Sequence, residues 1–127
     1  MVVTCVFAQA PKYVLFEHFT QASCRPCASQ NPAFQTNILD ANPKIVRHIA
    51  YHTSWPGTDP MFSHNPSENA ARTSFYNITG VPSIKLMGNQ KYGAPGSYSQ
   101  SDVDNQFNMG SPIQIKVQKL TMIVQEG

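Results

Sequence analysis

The sequence predicts one mixed α/β domain, and three observations carry that prediction. Tyr13-Val14-Leu15-Phe16-Glu17-His18-Phe19 is an apolar, β-branched and aromatic run that leads directly to Cys24-Arg25-Pro26-Cys27. A helical pattern and a second apolar run, Ile45 to His52, follow it, which makes a β-α-β unit. A further helical segment then gives way to Gly80-Val81-Pro82, a short strand and a hairpin turn. A crossover of this kind is expected to be right-handed, with its two strands parallel.

The elements are justified in order. Met1 to Ala10 is a short apolar stretch ending Ala8-Gln9-Ala10, the A-x-A form of a signal-peptidase site, so residues 1–10 read as the remnant of an export signal or as an edge strand. The run from Tyr13 to Phe19 reads as a buried strand, Thr20 to Ser23 as a loop, and the cysteines as the first turn of a helix. Along Ala28 to Asp40, Phe34, Ile38 and Leu39 recur at helical spacing, Pro32 should kink the helix, and Asn42-Pro43 stops it. Ile45 to His52 is the second strand. Thr53 to Pro66 holds four prolines or glycines and is expected to be irregular; its Trp55, Met61 and Phe62 either pin the loop to the body or wall the dithiol.

Pro66 to Tyr76 reads as a helix with Ala70, Ala71 and Phe75 on a buried stripe. Ile84 to Met87 is a short strand, and Gly88-Asn89-Gln90 turns it toward Lys91-Tyr92-Gly93. Ser99 or Ser101 caps a last helix from about Asp102 to Met109, with Val103 and Phe107 inward. Beyond Ser111 the chain alternates, with Ile113, Ile115 and Val117 and then Leu120, Met122 and Val124, as one or two strands. The expected organisation is thus 1–10, a domain over 11–110, and a β extension over 111–127 that begins a second domain.

Two cysteines two residues apart at the start of a helix can close a small disulfide or open to a dithiol. Unpaired N–H groups at that terminus stabilise a thiolate and lower the thiol pKa. Arg25 adds positive charge, and Pro26 suits the opening turn. Cys24 is therefore the candidate nucleophile and Cys27 the resolving thiol. The alternatives are a structural disulfide and half of a zinc site completed by His48 and His52. The last would need two imidazoles that stand about 13 Å apart along a strand to converge on one ion.

Composition narrows the classes. With 127 residues, 41% hydrophobic and 13% charged, the chain can bury a core by itself, and a net charge of +2 on scattered Lys and Arg gives no nucleic-acid footprint. No apolar run approaches the ~20 residues of a membrane-spanning helix. Three cysteines leave Cys5 as the odd one, and a reactive pair with few other cysteines suits an oxidising compartment.

In its order of strand, C-x2-C, kinked helix, strand, helix, Thr79-Gly80-Val81-Pro82, hairpin and helix, the chain resembles the thioredoxin-like superfamily from about Lys12 to Met109. Glu17-His18-Phe19-Thr20, the stretch Tyr51 to Met61 and Asn69-Ala70-Ala71-Arg72 resemble more narrowly an exported bacterial branch labelled outer-membrane proteins, in which such a module precedes β-sandwich segments. The resemblance implies a thioredoxin-like fold and a thiol–disulfide oxidoreductase, with a reductase or isomerase favoured. It implies a cis Pro82 against the dithiol, and Gly80 and Val81 offering backbone to an extended peptide. His18, six residues before Cys24, or Glu17 beside it, stands where the family keeps a buried proton shuttle; strand alternation lets only one of them face the dithiol. Ser23 departs from the family's usual tryptophan, and Trp55 would cover the site from another side. No cofactor beyond the Cys24/Cys27 couple is implied. The implied partners are protein or peptide thiols and disulfides and a redox partner, in the periplasm, at the outer membrane or outside the cell. The rival is a non-catalytic binding module of a cell-surface protein whose disulfide is structural.

Overall fold

The computed structural model describes residues 9–116. Four strands, β1 (Val14–Thr20), β2 (Val46–His52), β3 (Ser83–Leu86) and β4 (Lys91–Gly93), form one sheet in the order β2-β1-β3-β4. β1 and β2 are parallel, with Val14 opposite Val46 and Thr20 opposite His52, whereas β3 and β4 are antiparallel additions. β1 lies inside the sheet with both faces covered, which is why its sequence is an almost unbroken apolar run.

One face of β1 carries Val14, Phe16, His18 and Thr20, and the other carries Leu15, Glu17 and Phe19. On the first face Val14 and Phe16 meet Phe34, Ile38 and Val103 in the hydrophobic core. Phe34 belongs to helix α1 (Arg25–Phe34) and Val103 to helix α4 (Gln100–Asn108). The Phe16 ring stands edge-on to Phe34 and Tyr98 at 5.3 and 5.5 Å. Burying a side chain of this size contributes about 1.5–3 kcal/mol. Phe107 packs against the same core from α4, as its helical spacing predicts, and Asp102 accepts the Ser99 N–H at 2.9 Å to close the start of that helix. Pro32 lies inside α1, and the chain after it, Gln35–Leu39, widens into one π-helical turn in which the Asp40 N–H donates to the Gln35 carbonyl.

Three elements differ from the expectation. The segment from Thr53 to Pro66 is not wholly irregular: it contains a short helix, α2 (Pro60–His64), and is followed directly by α3 (Pro66–Phe75). Pro60 and Pro66 each occupy the opening turn of a helix, where a missing N–H costs nothing, so they start helices instead of breaking them.

The inward stripe of α3 is also different, because Ala70, Ala71 and Phe75 are exposed, the last at 68%. Asn69, Arg72 and Thr73 turn inward, with Tyr76 just beyond the helix, since this side of the sheet offers the Glu17 carboxylate. Met87 belongs to the hairpin turn and not to β3. It and Gly88 both have positive φ, 47° and 76°, a pair of left-handed residues that suits a tight β-hairpin.

Ala10 and Ser111 form an isolated antiparallel bridge, and residues 112–116 have no regular structure, with Ile113 and Ile115 exposed. Cys5, the rest of the candidate export signal up to Ala8, and Val117 to Val124 lie outside the described residues.

Candidate active site

Cys24 is the N-cap of α1, with extended φ and ψ of −79° and 107°, and Cys27 lies in the first turn. Their sulfurs are joined in a disulfide with Cα atoms 5.2 Å apart. The Cys27 backbone N–H donates to Cys24 Sγ at 3.1 Å, so one of the helix's unpaired donors already points at the first sulfur. No acidic residue stands in the first turn of α1, and Arg25 is exposed beside it. When the bond opens, that N–H and the helix terminus favour negative charge on Cys24, which is the condition for a nucleophilic thiolate.

The Val81–Pro82 peptide bond is cis, and the Val81 carbonyl lies 3.6 Å from Cys24 Sγ. Chain positions 57 residues apart are thereby brought against one another. Pro26, Gly80, Val81, Pro82 and Tyr92 line a groove of about 320 Å³. Cys24 and Cys27 form part of the wall of a second, larger cleft of about 430 Å³ whose other walls include His18, Asn31, His48 and His52. Both cysteines are almost covered, at 4% and 2% exposure.

Strand alternation separates Glu17 from His18 as the period of two requires. His18 faces the cleft, with Nδ1 3.3 Å from His48 Nε2, and its own Nε2 is buried without a hydrogen-bond partner. Burial, reinforced by His48, pushes its pKa down to about 4, so the ring is neutral at neutral pH. Burial likewise lowers His48. Glu17 turns to the opposite face. Burial pushes its carboxyl up, but hydrogen bonds from Arg72 Nε and Tyr76 Oη, both 2.6 Å, outweigh this and hold it below the usual carboxylate range.

His48 and His52 stand on the extended β2, where His48 faces His18 and His52 Nδ1 meets Asp59 Oδ2 at 2.7 Å. Trp55, at a second cis bond to Pro56, lines a separate cavity with Thr53, Phe62 and Thr73. Met61 is 64% exposed.

Two residues that hold the site together were not singled out in the sequence. Gln21, 2% exposed, accepts the Ser23 N–H at 2.6 Å and donates to the Gly57 carbonyl at 2.7 Å. Asp59 accepts the N–H groups of Ala22, Met61 and Phe62 at 2.7, 2.8 and 3.1 Å as well as the His52 imidazole. Burial pushes its carboxyl up, yet these bonds together hold it below its ordinary range. Asp59-Pro60 is itself a helix-start signal, an N-cap followed by an N1 proline, and it marks the position in the sequence.

No family model and no curated protein matches the chain. Solved structures do. HBP35 of Porphyromonas gingivalis superposes with a TM-score of 0.59 at 21% identity, over 80% of this chain and 35% of its own, so the chain spans about a third of that protein. StoA from Bacillus subtilis gives 0.50 at 19% identity over 65% and 74% of the two chains. A thioredoxin of Malassezia sympodialis gives 0.51 at 12% identity over 77% and 78%. At these identities the likeness is one of architecture. The chain has a thioredoxin-like fold that carries a Cys24–Cys27 disulfide at the start of its first helix.

Proposed function

We propose that the chain is a thiol–disulfide oxidoreductase acting on protein or peptide disulfides. The observation that carries this reading is the disulfide at the N-terminus of α1 with Cys24 Sγ 3.6 Å from the carbonyl preceding cis Pro82. In the reducing direction the Cys24 thiolate attacks a substrate disulfide, the substrate S–S bond breaks, and one substrate sulfur leaves as a thiol. Cys27 then attacks Cys24 Sγ, which releases the second substrate thiol and leaves the pair oxidised. Run backward, the same steps donate a disulfide.

Gly80, Val81 and Pro82, which line the groove, hold the substrate backbone, and His18 relays the Cys27 proton; its unpartnered Nε2 in the cleft supports that role, and a ring whose pKa is about 4 passes the proton on instead of holding it. Arg25 and Pro26 tune the thiolate. The dithiol is the redox centre. An extracytoplasmic site in a bacterium, in the periplasm, at the outer membrane or beyond it, belongs to the same proposal, as does a reductase or isomerase direction.

The test is turnover of a disulfide-bonded protein with a small dithiol as electron source. Cys24→Ser should abolish it, and Cys27→Ser should accumulate a mixed disulfide with the substrate. Turnover that neither variant changes would sink the proposal. A second reading, a binding module with a structural disulfide, is favoured by the near-complete burial of both cysteines; a wild type without turnover, so that neither variant has a rate to change, is its signature.

A further inference from the structure

The cleft that Cys24 and Cys27 line holds a group that the proposed exchange has not used, and a buried carboxylate is bonded to it. His52 closes β2, and its imidazole, 22% exposed, lines the cavity that Cys24 and Cys27 also line. Asp59, whose side chain is fully covered, meets its Nδ1 at 2.7 Å. The carboxylate already accepts three backbone N–H groups and is ionised, so it is an acceptor only, and Nδ1 must carry the proton. That assignment leaves Nε2 as the basic nitrogen of the ring.

The same Asp59 oxygen that meets His52 accepts the Ala22 N–H, two residues before Cys24. The imidazole and the loop that presents the nucleophile are therefore pinned to one buried atom. A group built only to cap α2 would need neither contact.

We propose that His52 is the general acid–base of the exchange step at Cys24, and that Asp59 is its positioning residue. The inference rests on the oxidoreductase reading. Nε2 takes the proton of the Cys24 thiol, and the thiolate attacks the substrate disulfide. The new bond is Cys24 Sγ to substrate sulfur, the bond broken is the substrate S–S, and the imidazolium returns its proton to the departing sulfur. The sulfur atoms redistribute two electrons among themselves, so no further oxidant or reductant enters this step. Proton handling is then divided: His18 serves the covered Cys27, and His52 serves the sulfur that meets substrate.

Among the described residues, Asp59 bonds to His52, His18 faces the same cleft from β1 and His48 from its own strand, the two cysteines stand at the start of α1, and the neutral Asn69 of α3 accepts the His52 backbone N–H at 2.8 Å.

Two readouts separate this inference from the reading it rests on. Reduced protein is alkylated with iodoacetamide from about pH 5 to 10, modification of Cys24 is followed by mass, and the same proteins are assayed for reduction of a protein disulfide. His52→Gln is expected to change the pH profile of Cys24 alkylation and to lower protein-disulfide kcat/KM about tenfold or more at neutral pH. Asp59→Asn should change the profile in the same sense, and Asp59→Glu should recover part of the wild-type profile. Circular dichroism establishes folding, and His52→Asn replaces His52→Gln if the latter does not fold. Superimposable alkylation profiles for wild type and the His52 variant overturn the inference. An altered profile in a protein whose wild type has no protein-disulfide turnover sinks the oxidoreductase reading and leaves the proton assignment standing.

Discussion

At the residue scale the clearest consequence is that of His18. Its folded pKa, about 4, lies below the ordinary histidine value near 6.5, so between those two values the unfolded chain binds more protons than the native one. Stability from this residue is therefore fully present above about pH 6.5 and is lost as pH falls through about 4, a change of about 3 kcal/mol across the window. Urea unfolding of wild type and His18→Leu should show it: the variant's midpoint should vary much less between pH 7 and about pH 4. Equal acid sensitivity in both would contradict the burial of the ring. A strand's period of two made it legible that only one of Glu17 and His18 faces the cysteines, but not which one. The link of His18 to His48 was not legible either, since that contact depends on the register of β1 against β2, and a sequence does not print register.

At the element scale, α3 shows where periodicity misleads. Its apolar residues suggest an inward stripe of Ala70, Ala71 and Phe75, yet the helix turns a polar side to the sheet because Glu17 is buried there and must be satisfied. The Glu17 side chain is 2% exposed. Arg72→Leu should thus cost about 3 kcal/mol, most of it the penalty of a buried carboxylate left without its cation. Tyr76→Phe should cost about 1–2 kcal/mol, for one hydrogen bond to a charged acceptor. Chemical denaturation measures both, and a loss below about 1 kcal/mol in Arg72→Leu would show that Glu17 finds water or protonates instead. The short helix α2 escaped notice for a related reason. Prolines in a loop read as breakers, and only the capping carboxylate of Asp59 identifies Pro60 as a first residue.

For the whole molecule, the order of strands and helices could be read along the chain, because it rests on local pattern, whereas the meeting of the cysteine turn with Val81-Pro82 came only from the resemblance to the thioredoxin-like superfamily. What could not be read was which distant loop closes the site. Gln21 with Gly57 and Asp59 with Ala22 are contacts of 36 and 37 residues' separation between segments with no periodicity of their own.

The packed cluster of Phe16, Phe34, Ile84, Leu86 and Val103 does not include the two cysteines, and the ring closed by Cys24 and Cys27 spans a separation of only three residues. Reduction should therefore lower stability by no more than about 2 kcal/mol and leave one cooperative transition. Calorimetry with and without reductant checks this, and a collapse of the transition on reduction would mark the bond as a structural staple. Phe16→Ala, by contrast, should cost about 3–5 kcal/mol in either redox state.

The carboxylate of Asp59 gathers the Ala22, Met61 and Phe62 amides on one pair of oxygens. Deuterium uptake at those three sites should consequently share a single opening event, with matching protection factors, although two of them sit beyond a strand and a helix from the first. Neutralising the anion would release all of them together, and the peptide in front of the sulfur pair would then breathe at the tempo of a segment some forty positions downstream.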